Sequence, residues 1–416
     1  MSIAPTLPTS CGSLPPEGAV PPWGGPAAGR TSAILPGVTL GVMGGGQLGR
    51  MFVHAAQQLG FRTAVLDPDT SSPAGLVSHV HIQTAYDDAQ GLAQLAQCAA
   101  AVTTEFENVP APSLSALAAQ RPVAPSAQAV AIAQDRAEEK AHFVRCGVPC
   151  APYAVIASEA QLAAVPNALL PGILKTTRLG YDGKGQIRVA THAELAAGWA
   201  ELKGVHCVLE QRLQLLDECS VVVARGADGT VVHLPPQRNF HRDGILAVTE
   251  VFEGNLPQAT VESAVGAAKS IASGLQYVGV LCVEFFVVPD HHAGTRLVVN
   301  EMAPRPHNSG HYSIEACDFS QFDLQVRTLA GLPLPQPRQH SPAIMLNLLG
   351  DIWGPNGESP PWDRVLALPG THLHLYGKLS ARPGRKMGHL TLTAPTVAEV
   401  RANALAAAAL LGIAPF

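Results

Sequence analysis

The chain has 416 residues, 47% hydrophobic and only 14% charged, which argues against a mostly disordered polypeptide and provides for two or three cores rather than one. A formal net charge of -5 without any basic block argues against a nucleic-acid-binding surface. No apolar run reaches the roughly 18 residues of a membrane span, and no two of the eight cysteines have CxxC spacing, so the plain reading is a cytoplasmic enzyme with reduced thiols and no structural zinc.

Residues 1–37 are rich in proline and glycine and read as a disordered extension or a misassigned start, without the basic and apolar regions of a signal peptide. Val38 to Met43 predicts a buried strand, Gln47 to about Leu59 a helix, and Arg62 to Leu66 the next strand. This βαβ unit implies a parallel sheet. Helices over Gly91 to Ala100 and Ala111 to Ala119, with a strand over Ala101 to Thr104, complete a first domain at 38–126. Its turn, Gly44-Gly45-Gly46-Gln47-Leu48-Gly49, fits GxGxxG, and Asp67 ends the following strand. A nicotinamide-dependent dehydrogenase has those features. A helix N-terminus that takes a sugar monophosphate has them too, as does a tight turn with no ligand.

Residues 127–331 carry most of the chemistry. A helix around Asp135 to Cys146 leads to Gly172-Ile173-Leu174-Lys175, a strand ending in lysine, and then to the loop Gly180-Tyr181-Asp182-Gly183-Lys184-Gly185-Gln186. Glycine amides approach phosphate oxygens closely and lysines supply charge; a hairpin with solvated lysines is the bland alternative. Val208-Leu209-Glu210 ends another strand in an acid, with Glu218 eight residues on. Glu284 interrupts the apolar run Leu281 to Val287, and Asn300-Glu301 closes the next strand. One acid buried alone would be read as an arginine partner; two on neighbouring strands beside an asparagine oxygen suit magnesium bridging nucleotide phosphates. The turn Pro304 to His311 then brings Arg305 to a transferring phosphate. His307 and His311 have helical metal-ligand spacing, but Pro306 and Gly310 argue against a helix and hence against zinc there. Pro333 to Pro337 reads as a linker to a small β-rich domain at 332–416, with strands over His372 to Tyr376 and Gly388 to Leu392.

The order Asp135-Arg136, Lys175, glycine loop, Glu210 with Glu218, Glu284, Asn300-Glu301 and Arg305 resembles the ATP-grasp signature. Gly45 to Met51, Thr104 to Pro110, Gly180 to Gln186, Asn239 to Ile245, Pro304 to His311 and Arg382 to His389 resemble the 5-(carboxyamino)imidazole ribonucleotide synthase family. The resemblance runs from about Val38 to the end. It implies an α/β and α+β chain: an ATP-grasp fold with an N-terminal Rossmann-like domain and a small C-terminal β-rich domain. It also implies ATP- and bicarbonate-dependent carboxylation of 5-aminoimidazole ribonucleotide through carboxyphosphate, with magnesium, in a cytoplasmic homodimer. By position, Arg136, Lys175, Gly180 to Gln186, Glu210, Gln211, Arg212, Leu213, Glu218, His241, Asn300 and Glu301 would hold ATP. Glu284 and Glu301 would hold magnesium. Arg305, Asp182 and Lys386 would serve catalysis, and Gly46, Gln47, Leu48, Lys378, Arg385 and Lys386 the ribonucleotide. Tyr376-Gly377-Lys378 departs from the acid-containing family variant. The dehydrogenase reading explains only one loop, and intact Glu284, Glu301 and Arg305 disfavour an inactive nucleotide-binding relative. The Gly-Tyr-Asp-Gly and Arg-Pro-Gly-Arg-Lys motifs disfavour ligases acting on glycinamide ribonucleotide or biotin.

Overall fold

The structure, a computed structural model, describes residues 33–178, 180, 185–290, 294–354 and 357–416. Most of the N-terminal extension and Tyr181, Asp182, Gly183 and Lys184 of the glycine loop lie outside them. Ile34, in the stretch read as disordered, donates its amide to Ala330 and packs on the first core.

Strands β1 (Thr39–Met43), β2 (Arg62–Leu66), β3 (Val80–Ile82) and β4 (Ala101–Thr104) form a parallel sheet in the order β3-β2-β1-β4. The three longer strands are buried along nearly their whole length, as a sheet covered on both faces requires. The cover comes from helices α1 (Gln47–Gln58), α2 (Ala89–Cys98) and α3 (Ala111–Ala118). Gly44 has φ +106°, and a Cβ there would stand 2.3 Å from Glu105, so the β1–α1 turn needs glycine. Helices α4 (Ala127–Ala133) and α5 (Arg136–Arg145) lead onward. The Asp135 carboxylate caps α5 by accepting the amides of Ala137 and Glu138.

A small antiparallel sheet follows, β5 (Tyr153–Ile156), β6 (Gly172–Thr176), β7 (Gln186–Val189) and β8 (Cys207–Gln211), in the order β5-β8-β6-β7. Leu174 and Leu209 pair across β6 and β8 and pack into an apolar layer with Leu195. Leu195 belongs to α7 (His192–Glu201), which follows the short α6 (Glu159–Ala163). Strand alternation therefore turns Lys175 and Glu210 to the opposite face, as a diagonal pair.

The large antiparallel sheet comprises β9 (Asp217–Arg225), β10 (Val231–His233), β11 (Gln237–Arg242), β12 (Ile245–Val251), β13 (Gly279–Asp290), β14 (Gly294–Ala303), β15 (Ala343–Leu349), β16 (Thr371–Leu375) and β17 (Lys386–Thr393). Its order is β14-β13-β9-β11-β12-β15-β17-β16, with β10 on β9. The sheet thus continues across residue 331: β12 pairs with β15, Val248 opposite Leu346, so the C-terminal strands extend this sheet instead of forming their own. Helix α8 (Gln258–Gly274) covers β9 and β13 with Ala264, Ala268 and Ile271. Helix α9 (Ser313–Ala316) and helix α10 (Gln321–Ala330) follow, then α11 (Trp362–Leu366) and α12 (Val397–Leu411), which packs under β15 and β17.

Helix α10 joins the two halves. Phe322, Val326 and Leu329 enter the core of α1, while Leu324 enters that of the large sheet. A Ser320–Asp323 capping box starts α10, and Gly331, left-handed at φ 66°, ends it. Tyr376, just past β16, is buried in the same α1 core, and a Cβ on Gly377 would lie 3.5 Å from Arg50. The last segment is in this way folded back over the first sheet.

Candidate active site

Between the small and large sheets lies a cavity of about 600 Å³. On its small-sheet side Glu210 accepts from Lys175 at 3.0 Å and pairs with Lys140 of α5 at 3.2 Å, all three buried. Burial opposes the Glu210 charge, but the lysine charges outweigh it and hold the carboxyl below its ordinary value. Burial likewise holds the Lys175 ammonium below its usual range. On the large-sheet side, Glu218 of β9 meets His241 of β11 at 3.0 Å.

The acids of β13 and β14 face each other, Glu284 opposite Glu301, and the register shifts at the next pair, where Phe285 stands opposite Val299. Asn300 is thus the extra residue of a β-bulge, which turns it and Glu301 toward one side; both line the cavity with Glu284. Each carboxylate meets a cation: His307 approaches Glu284 Oε1 at 2.9 Å, and Arg136 approaches Glu301 Oε2 at 3.2 Å. Burial opposes both charges of the first pair. Against it, the Cys282 sulfur and Glu284 raise His307 to about 10, and the His307 charge and hydrogen bond bring Glu284 down to about 2. Glu139, buried in the same cavity, accepts the Met302 amide at 2.7 Å, and burial pushes its carboxyl up to about 8.

A second cavity of about 280 Å³ opens toward the first sheet. Glu107, Arg305, His307, Asn308 and Lys386 line both cavities, so the two meet there. Arg305 donates from Nε to Glu107 at 2.5 Å. Burial resists the Glu107 charge, and Arg305 brings that carboxyl down to about 2. The amides at the start of α1 are taken by the chain's own acids. Gly46 and Gly49 donate to Glu105 at 2.7 and 2.9 Å, and Gly45 donates to Asp67 at 2.6 Å. Asp67 also accepts from the Tyr86 hydroxyl at 2.5 Å. The position of a dinucleotide's ribose acid is consumed internally, which removes the geometric basis of the dehydrogenase reading.

The sequence-derived nucleotide set gathers around the larger cavity. Arg136, Lys175, Gly180, Gln186, Glu210, Gln211, Arg212, Leu213, Glu218, His241, Asn300 and Glu301 line it; Gly185 does not. Of the ribonucleotide set, Gln47, Leu48 and Lys386 line the smaller cavity. Gly46 has its amide on Glu105, Lys378 donates to the Lys386 carbonyl at 2.7 Å, and Arg385 donates to Ser380. Sequence reasoning assigned no role to Glu105, Glu107, Glu139, Lys140 or His307. Thr104 to Pro110 carried a usable signal, because it leaves the C-terminal end of β4, where ligands of parallel sheets bind.

Models of three families match in succession: a ribonucleotide synthetase preATP-grasp domain over residues 38–134, an ATP-grasp domain over 141–322, and a phosphoribosylaminoimidazole carboxylase C-terminal domain over 343–403. An N5-carboxyaminoimidazole ribonucleotide synthase of Brucella melitensis is 42% identical over 367 residues, 88% of this chain and 98% of that protein. The chain belongs to the N5-carboxyaminoimidazole ribonucleotide synthase family. It is an ATP-grasp ligase of purine biosynthesis. The synthase of Bacillus subtilis is 37% identical, covering 86% of this chain and 92% of that one. Among solved structures, the Thermus thermophilus synthetase superposes with a TM-score of 0.81 at 36% identity, over 91% of this chain and 99% of that one. The Aspergillus clavatus synthase in complex with ADP and 5-aminoimidazole ribonucleotide superposes with a TM-score of 0.81 at 31% identity, over 90% and 98%.

Proposed function

We infer that the chain makes N5-carboxyaminoimidazole ribonucleotide from ATP, bicarbonate and 5-aminoimidazole ribonucleotide, with the nucleotide in the larger cavity and the ribonucleotide in the smaller. The observation that carries this division is the shared wall of Glu107, Arg305, His307, Asn308 and Lys386. A group activated on one side reaches the acceptor on the other without crossing solvent.

In the larger cavity Lys175 and Arg136 face the phosphates, Glu218 accepts ribose hydroxyls, and the strand end from Glu210 to Leu213 borders adenine. Gly180 to Gln186 is the phosphate loop, and Asp182 within it is assigned to catalysis. Glu284, Glu301 and Asn300 are an all-oxygen donor set that fits magnesium; they would hold the ion, and it would offset the charge of the nucleotide phosphates. A bicarbonate oxygen attacks the γ-phosphorus, the bond to the β-phosphate oxygen breaks, and ADP and carboxyphosphate result. Arg305 and the His307 imidazolium stand where that negative charge gathers, and Glu107 aims the guanidinium. The substrate amine then attacks the carboxyl carbon, or the carbon dioxide it releases, and phosphate leaves with the bridging oxygen. The amine's second proton departs to solvent or phosphate. Burial of this junction keeps water from carboxyphosphate. The resemblance further supports a cytoplasmic homodimer; among the described residues no helix is long and apolar enough to cross a membrane.

Oxygen-18-labelled bicarbonate tests the chemistry. The released phosphate should carry one labelled oxygen per turnover. Phosphate free of label would remove carboxyphosphate from the scheme.

A further inference from the structure

A partly buried polar cluster takes no part in that reaction. His374 and His389 are cross-strand partners on β16 and β17. Their rings stack at 4.5 Å with an interplanar angle of 9°. Helix α9 brings in Glu315, whose Oε1 lies 2.6 Å from His374 Nε2. The ligand atoms of all three lie within 4.8 Å of one another. None of the three lines either cavity, although His311, which does line the smaller one, stacks on His389 at 4.5 Å.

Two atoms of this cluster lack hydrogen-bond partners among the described residues: His389 Nε2, in a residue with 0% exposure, and Glu315 Oε2. A buried polar atom left unmet is costly, and such atoms are rare without a bound ion or water. The other ring nitrogen of His389 meets the Tyr376 hydroxyl at 3.0 Å, the kind of contact that sets the orientation of a ligating histidine. Burial, with the nearby His311 and His374, holds His389 well below its ordinary value, so its imidazole is neutral, as a metal ligand must be. His374 remains 31% exposed on its side chain and leaves a route from solvent.

We propose that Glu315, His374 and His389 form a site for a zinc-class divalent cation, separate from the magnesium site on Glu284 and Glu301. Two imidazoles and one carboxylate select zinc, cobalt or nickel over magnesium and leave a fourth position for water. Metal bonds of about 2.0–2.2 Å put tetrahedral ligand atoms roughly 3.4 Å apart. Reaching that spacing requires the two imidazoles to turn out of their parallel stack, since each nitrogen's lone pair lies in its own ring plane. The ion clamps the β16–β17 hairpin, which carries Lys386, to the helix that follows the Arg305 loop. It thus braces the wall between the cavities.

The full-length chain, stripped of metal with a chelator and supplied with excess magnesium and ATP, is titrated with cobalt(II). Calorimetry, the visible spectrum and thermal unfolding are recorded. The proposal expects one tightly held equivalent, the strong absorption of a four-coordinate nitrogen-and-oxygen site, and a raised unfolding midpoint. His374→Gln and Glu315→Gln should each lose that equivalent, and Glu284→Gln should keep it. No cobalt binding at micromolar concentration overturns the proposal, as does retention in the first two variants or loss in the third. The spectrum of the native chain decides the matter even where a variant does not fold: weak absorption of an octahedral oxygen site alone contradicts the assignment.

Discussion

At the scale of single residues, the site depends on acids and bases that hold one another charged while buried. His307 and Glu284 are the sharpest case. Because folding raises His307 from 6.5 to about 10, its share of stability is complete below about 6.5 and is lost as pH climbs through about 10. Glu284 is lowered from 4.5 to about 2, so its share is complete above about 4.5 and is lost as pH falls through about 2. Imidazole resonances of His307 should therefore titrate near 10, and in Glu284→Gln the midpoint should fall. A native midpoint near neutrality would show that the pair is not formed. Arg305 carries a second prediction. Arg305→Met should lower kcat by roughly a hundred- to a thousandfold, as losing one preorganised donor to a developing oxyanion does, with the KM for ATP little changed. Steady-state kinetics that moved only the KM for ATP would place Arg305 in nucleotide binding instead. The place of Arg305 at the cavity wall was readable from its polar turn after the two strand acids. Glu107 and Lys140 were not, because a charge on a loop or helix reads as solvated until the fold shows what it meets.

At the scale of elements, apolar runs and turn chemistry made β1, β2, β4 and the helices α1 to α3 legible, while the three-residue β3 was not. Apolar strands and a glycine turn are local signals. Asn300-Glu301 was legible as a strand end, yet β14 continues to Ala303, and the bulge that turns both residues inward depends on pairing with β13. No local pattern announces such a bulge. The junction held by α10 was also hidden, since its apolar residues serve two cores at once. Phe322, 1% exposed, lies in the α1 core, and Phe322→Ala should destabilise the chain by about 3–5 kcal/mol. Denaturant unfolding measures this; a loss under about 1 kcal/mol would mean that α10 does not bind the halves together.

For the whole molecule, the continuation of one sheet across residue 331 brings the last segment back over the first domain. The proline-rich linker gave no sign of the β12–β15 pairing, because those strands are distant in sequence. The consequence is Lys386 at the meeting of two cavities. Lys386→Ala should raise the KM for the ribonucleotide sharply while leaving that for ATP nearly unchanged; an equal rise in both would deny Lys386 a place in the ribonucleotide site. Sedimentation at micromolar concentration should find a dimer, and a single 43.3 kDa species would contradict the homodimer. Activation of bicarbonate on one side of the wall should serve an amine on the other. Phosphate release from magnesium, ATP and bicarbonate, followed with and without 5-aminoimidazole ribonucleotide, tests it most directly. The ribonucleotide should strongly accelerate release and be consumed one for one with ATP into the carboxylated product. Release at the same rate without it, or with the ribonucleotide unchanged, would rule out transfer across the wall.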